Sequence, residues 1–246
     1  MPRVKCTLSY DGTHFSGYQV QPSSRTVQYE FERALAKLHK GQHIQTRSSG
    51  RTDAGVHAVA QISHFDTPID IPRDKWPIAL NGILPEDIAV KDVEPVADDF
   101  DARYDAVTKE YRYRVYTGKH PDVFRRNYTY HLPGLLDEEA MKQAASLLLG
   151  EHDFTAFCSP KTNVKDKVRT LYEIDIYKQG DEWHFRYVGS GFLYQMVRIL
   201  TGTILEVGKQ KRSPENMTEL LKDKKRHLAG PTVSGQGLYL WEVNYS

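Results

Sequence analysis

The chain has 246 residues, 39% hydrophobic and 26% charged, with a formal net charge of +1. That balance is ordinary for a soluble globular protein and builds a core without covalent staples, as one large domain or two small ones. The two cysteines, Cys6 and Cys158, form no CxxC pattern, which argues against a disulfide framework or a cysteine zinc site and for a reducing compartment; no apolar run reaches membrane-spanning length.

The first element in chain order is a strand, "RVKCTLSYDG", basic and then alternating, without the apolar core of a signal peptide. A cytoplasmic location is the expectation. "TVQYEFERALAKLHKG" follows as an amphipathic helix, with Val27, Phe31, Leu35 and Leu38 on one face and Gly41 at its end. "IQTRSSG" and "VAQISHFDT" read as two strands flanking "GRTDAGVHA". That stretch crowds Arg51, Asp53, His57 and Gln61 together, and its simplest account is a turn built on Asp and Gly. "IPRDKWPIALNGIL" reads as a short helix and "DIAVKDVEPV" as a strand, which completes a β-α-β-β-α-β order.

The second half repeats that order. "KEYRYRVYTG" alternates as a strand, and "LDEEAMKQAASLLLG" is a helix with acids in its first turn. "LYEIDIYKQGDEWHFRYVG" is a hairpin, with Tyr172, Ile174 and Ile176 on one face and Trp183, Phe185 and Tyr187 on the other strand's matching face. "FLYQMVRILTGTILEVG" is a mostly apolar helix and "GLYLWEVNY" a last strand. The expected fold class is α+β: two tandem ferredoxin-like halves, 1–104 and 105–246, sharing a mixed, mainly antiparallel sheet with a central cleft.

Charge is unevenly spread. Residues 67–101 hold nine acids and three bases, a local −6, so the remainder carries +7. Bases cluster at Arg112 and Arg114, Arg125 and Arg126, 161–169, 209–212 and 222–226, interleaved with Tyr and His, as on a polyanion-binding surface.

Several common chemistries do not fit. "GTILEVGK" has five residues between Gly202 and Gly208 where a phosphate-binding loop has four, and Gln210 stands where Ser or Thr is needed. "GSGF" lacks the third glycine of a dinucleotide fingerprint. No histidine pair has helical metal-ligand spacing, so no metal is expected, and His57 and His64 read as strand or loop residues. Two residues stand out. Arg198 is the only charge between Gly189 and Leu205; a buried guanidinium needs a carboxylate, and Asp53 is the attractive partner, the alternative being a solvent strip with Gln195. Tyr111 shares a strand face with Tyr113 and Val115; Tyr113 reads as core, while Tyr111, at the strand's start, can line a cleft and stack on a base.

Together, "GRTDAGVHA", "KEYRY", "FLYQMVRI" and "GLYLWEV", supported by "YDGTHFSGYQVQP", "ALNGILPEDIAV" and "DFDARY", resemble the TruA-type tRNA pseudouridine synthases from about Val4 to Tyr245. Tyr18 stands where many relatives have tryptophan. The resemblance implies an isomerase converting uridine to pseudouridine at positions 38, 39 and 40 of the tRNA anticodon stem-loop, working as a homodimer on tRNA without a cofactor or metal. It implies Asp53 as catalytic aspartate, Arg198 as its paired arginine, Tyr111 as the tyrosine packing on the target base, and Arg51 as an RNA contact beside the extruded nucleotide. Asp53 would attack uracil C6 or ribose C1′, and the sequence leaves both routes open. Two rivals remain at this level: a non-catalytic RNA-binding protein of the same fold, and a nucleoside glycosidase, although that chemistry usually takes two carboxylates.

Overall fold

A computed structural model describes every residue from Met1 to Ser246. The elements in order are β1 (Arg3–Tyr10), α1 (Val27–Leu38), β2 (Arg47–Ser48), β3 (His57–Asp66), α2 (Trp76–Asn81), β4 (Ile88–Val96), β5 (Ala106–Tyr116), β6 (Tyr130–His131), α3 (Glu138–Ser146), β7 (Gly150–Asp153), β8 (Val168–Gln179), β9 (Glu182–Gly189), α4 (Met196–Gly208), α5 (Asn216–Asp223) and β10 (Leu238–Tyr245). The class is α+β, with mainly antiparallel strand pairing. The chain divides into two compact units, Met1–Val107 with Tyr239–Ser246, and Thr108–Leu238.

In the first unit β1 lies between β3 and β4, antiparallel to both, and β2 pairs with the far side of β3. Alternation in β1 buries Val4, Cys6, Leu8 and Tyr10. A register shift opposite Thr7 and Leu8 changes the parity of β4, so that Ile88, Val90 and Val93 are its buried residues. The α1 helix starts where the Thr26 hydroxyl accepts the Tyr29 N–H, and it buries Val27, Phe31, Ala34 and Leu35. Val27, Phe31 and Leu35 each contribute about 1.5–3 kcal/mol when fully buried. The strand β10, read from sequence with the second half, counts with the first unit. Its residues Tyr239 and Leu240 pair in parallel with His57 and Ala58 of β3, and the Tyr239 ring stacks on His57 at 4.8 Å.

In the second unit β9 lies between β5 and β8, antiparallel to both, with β7 outside β8. Tyr113, Val115, Trp183, Phe185 and Tyr187 are buried on one face. The expected face of β8 holds only in part. Its register shifts between Leu171 and Glu173, which turns Tyr172 outward to 54% exposure and buries Leu171 and Ile176. The α4 helix starts four residues later than its apolar run, because Gln195 takes a left-handed φ of 63° and Leu193 O receives the Met196 N–H. Inside α4 the Thr201 and Thr203 hydroxyls donate to Val197 O and Ile199 O, at 2.8 and 2.7 Å, which satisfies them in an apolar setting. Cys6 and Cys158 are free and buried. No helix is long and apolar enough to cross a membrane.

Candidate active site

The stretch around Asp53 forms a loop between β2 and β3, and hydrogen bonds fix it at several points. The Ser49 N–H donates to Ile62 O at 2.8 Å, and the Ser49 hydroxyl donates to Gln61 Oε1 at 2.7 Å. The other end of that amide, Gln61 Nε2, donates to Gly50 O at 2.9 Å. The strand β2 before this loop holds only Arg47 and Ser48, where the sequence reads as a longer strand. Thr52 is the loop's inner anchor, 7% exposed. Its carbonyl accepts the Tyr18 N–H at 3.0 Å, and its hydroxyl shares a 2.8 Å hydrogen bond with Tyr10. The Val56 N–H closes a turn on Asp53 O at 3.2 Å, across Gly55 at φ +74°, a conformation that favours glycine. With each bond adding about 1 kcal/mol net, the loop is a stiff frame. On it Arg51 is exposed and Asp53 half-buried.

The two histidines nearby are structural acceptors. His57 Nδ1 receives the Gly12 N–H at 3.0 Å, so that nitrogen carries the lone pair. The 3.2 Å approach of Asp11 Oδ1 to the same atom is therefore not a charged pair. His64 Nδ1 receives the Ala102 N–H at 3.0 Å, and burial pushes its pKa down. No three His, Cys, Asp or Glu side chains gather as a metal site.

The second unit carries Tyr111 and Arg198. Tyr111 is 7% exposed on β5 and meets the Phe192 ring edge-on at 5.0 Å. Arg198 lies in the first turn of α4 and is half-buried, unlike its neighbours Val197 and Ile199. Its Nε donates to Val233 O at 2.7 Å. Tyr113, read from sequence as core, is fully buried, yet its hydroxyl donates to Ser234 O at 2.7 Å. Arg198 and Tyr113 thus hold consecutive carbonyls of one segment. Sequence periodicity offers no sign of this; the only hint is the Gly/Pro-rich "AGPTVSGQG" between a helix and a strand.

The basic clusters differ from one another. Arg112 pairs with the buried Glu110, Arg114 and Arg125 with the buried Glu182, and Arg212 with Glu206. Much of that positive charge is neutralised in place. Lys161 and Lys165 are exposed and form no ion pair, so the loop 161–169 keeps its charge.

A sequence profile described as tRNA pseudouridine synthase matches residues 7–105 and 144–246. The chain is 57% identical over 244 residues to "tRNA pseudouridine synthase A" of Bacillus subtilis (strain 168), covering 99% of both chains. It is 54% identical over 245 residues to the protein of the same name from Anoxybacillus flavithermus (strain DSM 21510 / WK1), covering 100% of this chain and 99% of that one. Among solved structures, a chain of the "Crystal Structure of a Cbf5-Nop10-Gar1 Complex" aligns with a TM-score of 0.36 and 14% identity over 82% of this chain and 54% of that one, too distant to bear on the site. Matched by profile over both halves and by relatives over its whole length, the chain belongs to the tRNA pseudouridine synthases, of the TruA type.

Proposed function

We propose that this isomerase forms pseudouridine at positions 38, 39 and 40 of the tRNA anticodon stem-loop, with Asp53 as nucleophile. The net reaction breaks the bond from ribose C1′ to N1 and makes one from C1′ to C5. A proton leaves C5 and one is gained at N1, so there is no net redox change and no cofactor is needed. Asp53 attacks, the base turns, and the new bond forms. Arg198 serves as the charge partner of the aspartate, Tyr111 packs on the extruded base, and Arg51 contacts RNA beside it. The enzyme works as a homodimer in the cytoplasm.

The observation that carries this reading is the frame around Asp53: a half-buried carboxylate on a loop held by Thr52, Gln61 and Val56. A nucleophile must be held within a fraction of an ångström of its target, and a stiff loop meets that need. The exposed Arg51 two residues away suits a contact with the backbone of a flipped nucleotide. The test is tritium release from C5-labelled tRNA, with carbodiimide mapping of the product. Release together with pseudouridine at positions 38–40 supports the proposal. Free uracil indicates a glycosidase, and binding without release indicates a non-catalytic RNA-binding protein.

Exchanging Lys161 and Lys165 together for glutamine is expected to weaken binding equally for all tRNA sequences. Each phosphate contact contributes about 0.7–0.9 to the slope of log affinity against log salt, so the slope should shrink by roughly 1.5. Filter binding across a salt series measures it, and an unchanged slope would remove this loop from the RNA surface.

Tyr111→Phe is expected to leave tRNA affinity within about twofold, because the ring face that stacks on a base, worth about 1–3 kcal/mol, is kept. The readout is a binding titration. A loss beyond tenfold would mean that the hydroxyl, rather than the ring, holds the RNA.

A further inference from the structure

We infer that Tyr113 is a positioning residue for Arg198, acting through the segment 229–237. This rests on the reading above, in which Arg198 serves the reaction. Arg198 grips one residue twice: its Nε donates to Val233 O at 2.7 Å, and its own carbonyl receives the Val233 N–H at 3.4 Å. A guanidinium is planar, so fixing the Nε–H direction sets where both Nη groups point. The position of Val233 therefore contributes to the orientation of Arg198.

Tyr113 fixes the next peptide. Its ring is fully buried and its hydroxyl donates to Ser234 O at 2.7 Å. The chain continues across the ring face: a Cβ at Gly237 would lie 2.8 Å from Tyr113 Cε1 and Cζ. Burial raises the phenol's pKa, while the Ser234 contact and the nearby Arg198 charge oppose the shift. The serine's own hydroxyl is buried without a partner, so the side chain of Ser234 does not anchor the segment. At the far end, Arg226 Nη1 donates to Gly230 O at 3.0 Å, Arg226 Nη2 donates to the Thr232 hydroxyl at 2.9 Å, and the Gly230 N–H donates to the Thr203 hydroxyl at 3.0 Å. Without the tyrosine hydroxyl, the Ser234 carbonyl loses an anchor, and a shift of Val233–Ser234 turns the guanidinium plane with it.

A double-mutant cycle on the full-length enzyme tests this, using Tyr113→Phe, Arg198→Lys and the double variant. Single-turnover pseudouridine formation in a tRNA transcript, filter binding and melting are measured for each. Tyr113→Phe should slow the chemical step roughly 10- to 100-fold, as expected for a misplaced catalytic group. Its tRNA affinity should stay within about twofold, and in the Arg198→Lys background it should slow the reaction by less than about twofold further. Equal slowing in both backgrounds would overturn the inference, since Tyr113 would then act independently of Arg198. A wild-type rate for Tyr113→Phe would overturn it as well. Arg198→Lys at the wild-type rate would overturn the underlying role of Arg198, and the single variant alone separates that result from the others. If Tyr113→Phe does not fold, Arg226→Lys, which loosens the far end of the segment, enters the same cycle. It should show the same non-additivity, and an additive effect would count against the inference.

Discussion

Asp53→Asn is expected to abolish pseudouridine formation while tRNA binding stays within a few-fold of the native enzyme. Asparagine has nearly the shape of aspartate, and several of the hydrogen bonds that hold the loop run through other groups. They run through Thr52, through the backbone of Gly50 and Asp53, and through Gln61. The frame should therefore survive. An amide oxygen is a far weaker nucleophile than a carboxylate, so the covalent route closes. Losing one negative charge should leave affinity for a polyanion unchanged or slightly raise it. Single-turnover formation, filter binding and a melting curve measure the three effects. A folded variant that keeps activity within tenfold of native would reduce Asp53 to a turn residue.

Long periodic elements were legible because one physical signal governed them. The α1 helix shows a threonine cap, a 3.6-residue apolar period and a glycine stop, and all three agree. The β8–β9 hairpin shows alternation around a polar turn. The misreadings have separate causes. "IQTRSSG" reads as a strand, but only Arg47 and Ser48 pair with β3, and Gln61 takes up the Ser49 hydroxyl and the Gly50 carbonyl beyond them. Tyr172 has the right spacing, but a bulge moves it to the other face, and no local residue announces a bulge. β10 follows the second half in sequence, while its parallel pairing with β3 spans most of the chain.

The candidate site was read in a different way. Asp53, Arg51, Tyr111 and Arg198 came forward through a family pattern, supported by the oddity of a lone charge in an apolar run. Tyr113 did not. Its strand period marks it as core, and its ring is indeed buried. What the period cannot show is that its hydroxyl meets a carbonyl 121 residues further along the chain. A buried tyrosine usually finds a partner for its hydroxyl, so the question to ask of the sequence was where that partner lay. Only the tertiary structure answers it.

Gly12→Ala is expected to lower stability by about 2–5 kcal/mol, combining overpacking with a broken buried hydrogen bond. Gly12 follows β1 and faces the chain just beyond Asp53. A Cβ there would lie 2.1 Å from Val56 O, 2.5 Å from Val56 C and 2.9 Å from Val56 N. All three are backbone atoms, so no rotamer change relieves the clash. Either the turn at Gly12–His14 or the Gly55–His57 backbone must move. Movement of the first breaks the Gly12 N–H to His57 Nδ1 bond, and movement of the second pulls Val56 N–H from Asp53 O. A displacement near 1 Å at a reacting group slows chemistry on the order of 100-fold, so turnover should fall even below the melting temperature. Gly82→Ala is the control: Gly82 has an ordinary helical φ of −70°, and its nearest prospective Cβ contact is 3.5 Å away. That variant should match the native enzyme in denaturant midpoint and single-turnover rate. If Gly12→Ala matches it too, the loop bearing Asp53 yields where the geometry says it is rigid, and the stiff-frame account of the nucleophile fails.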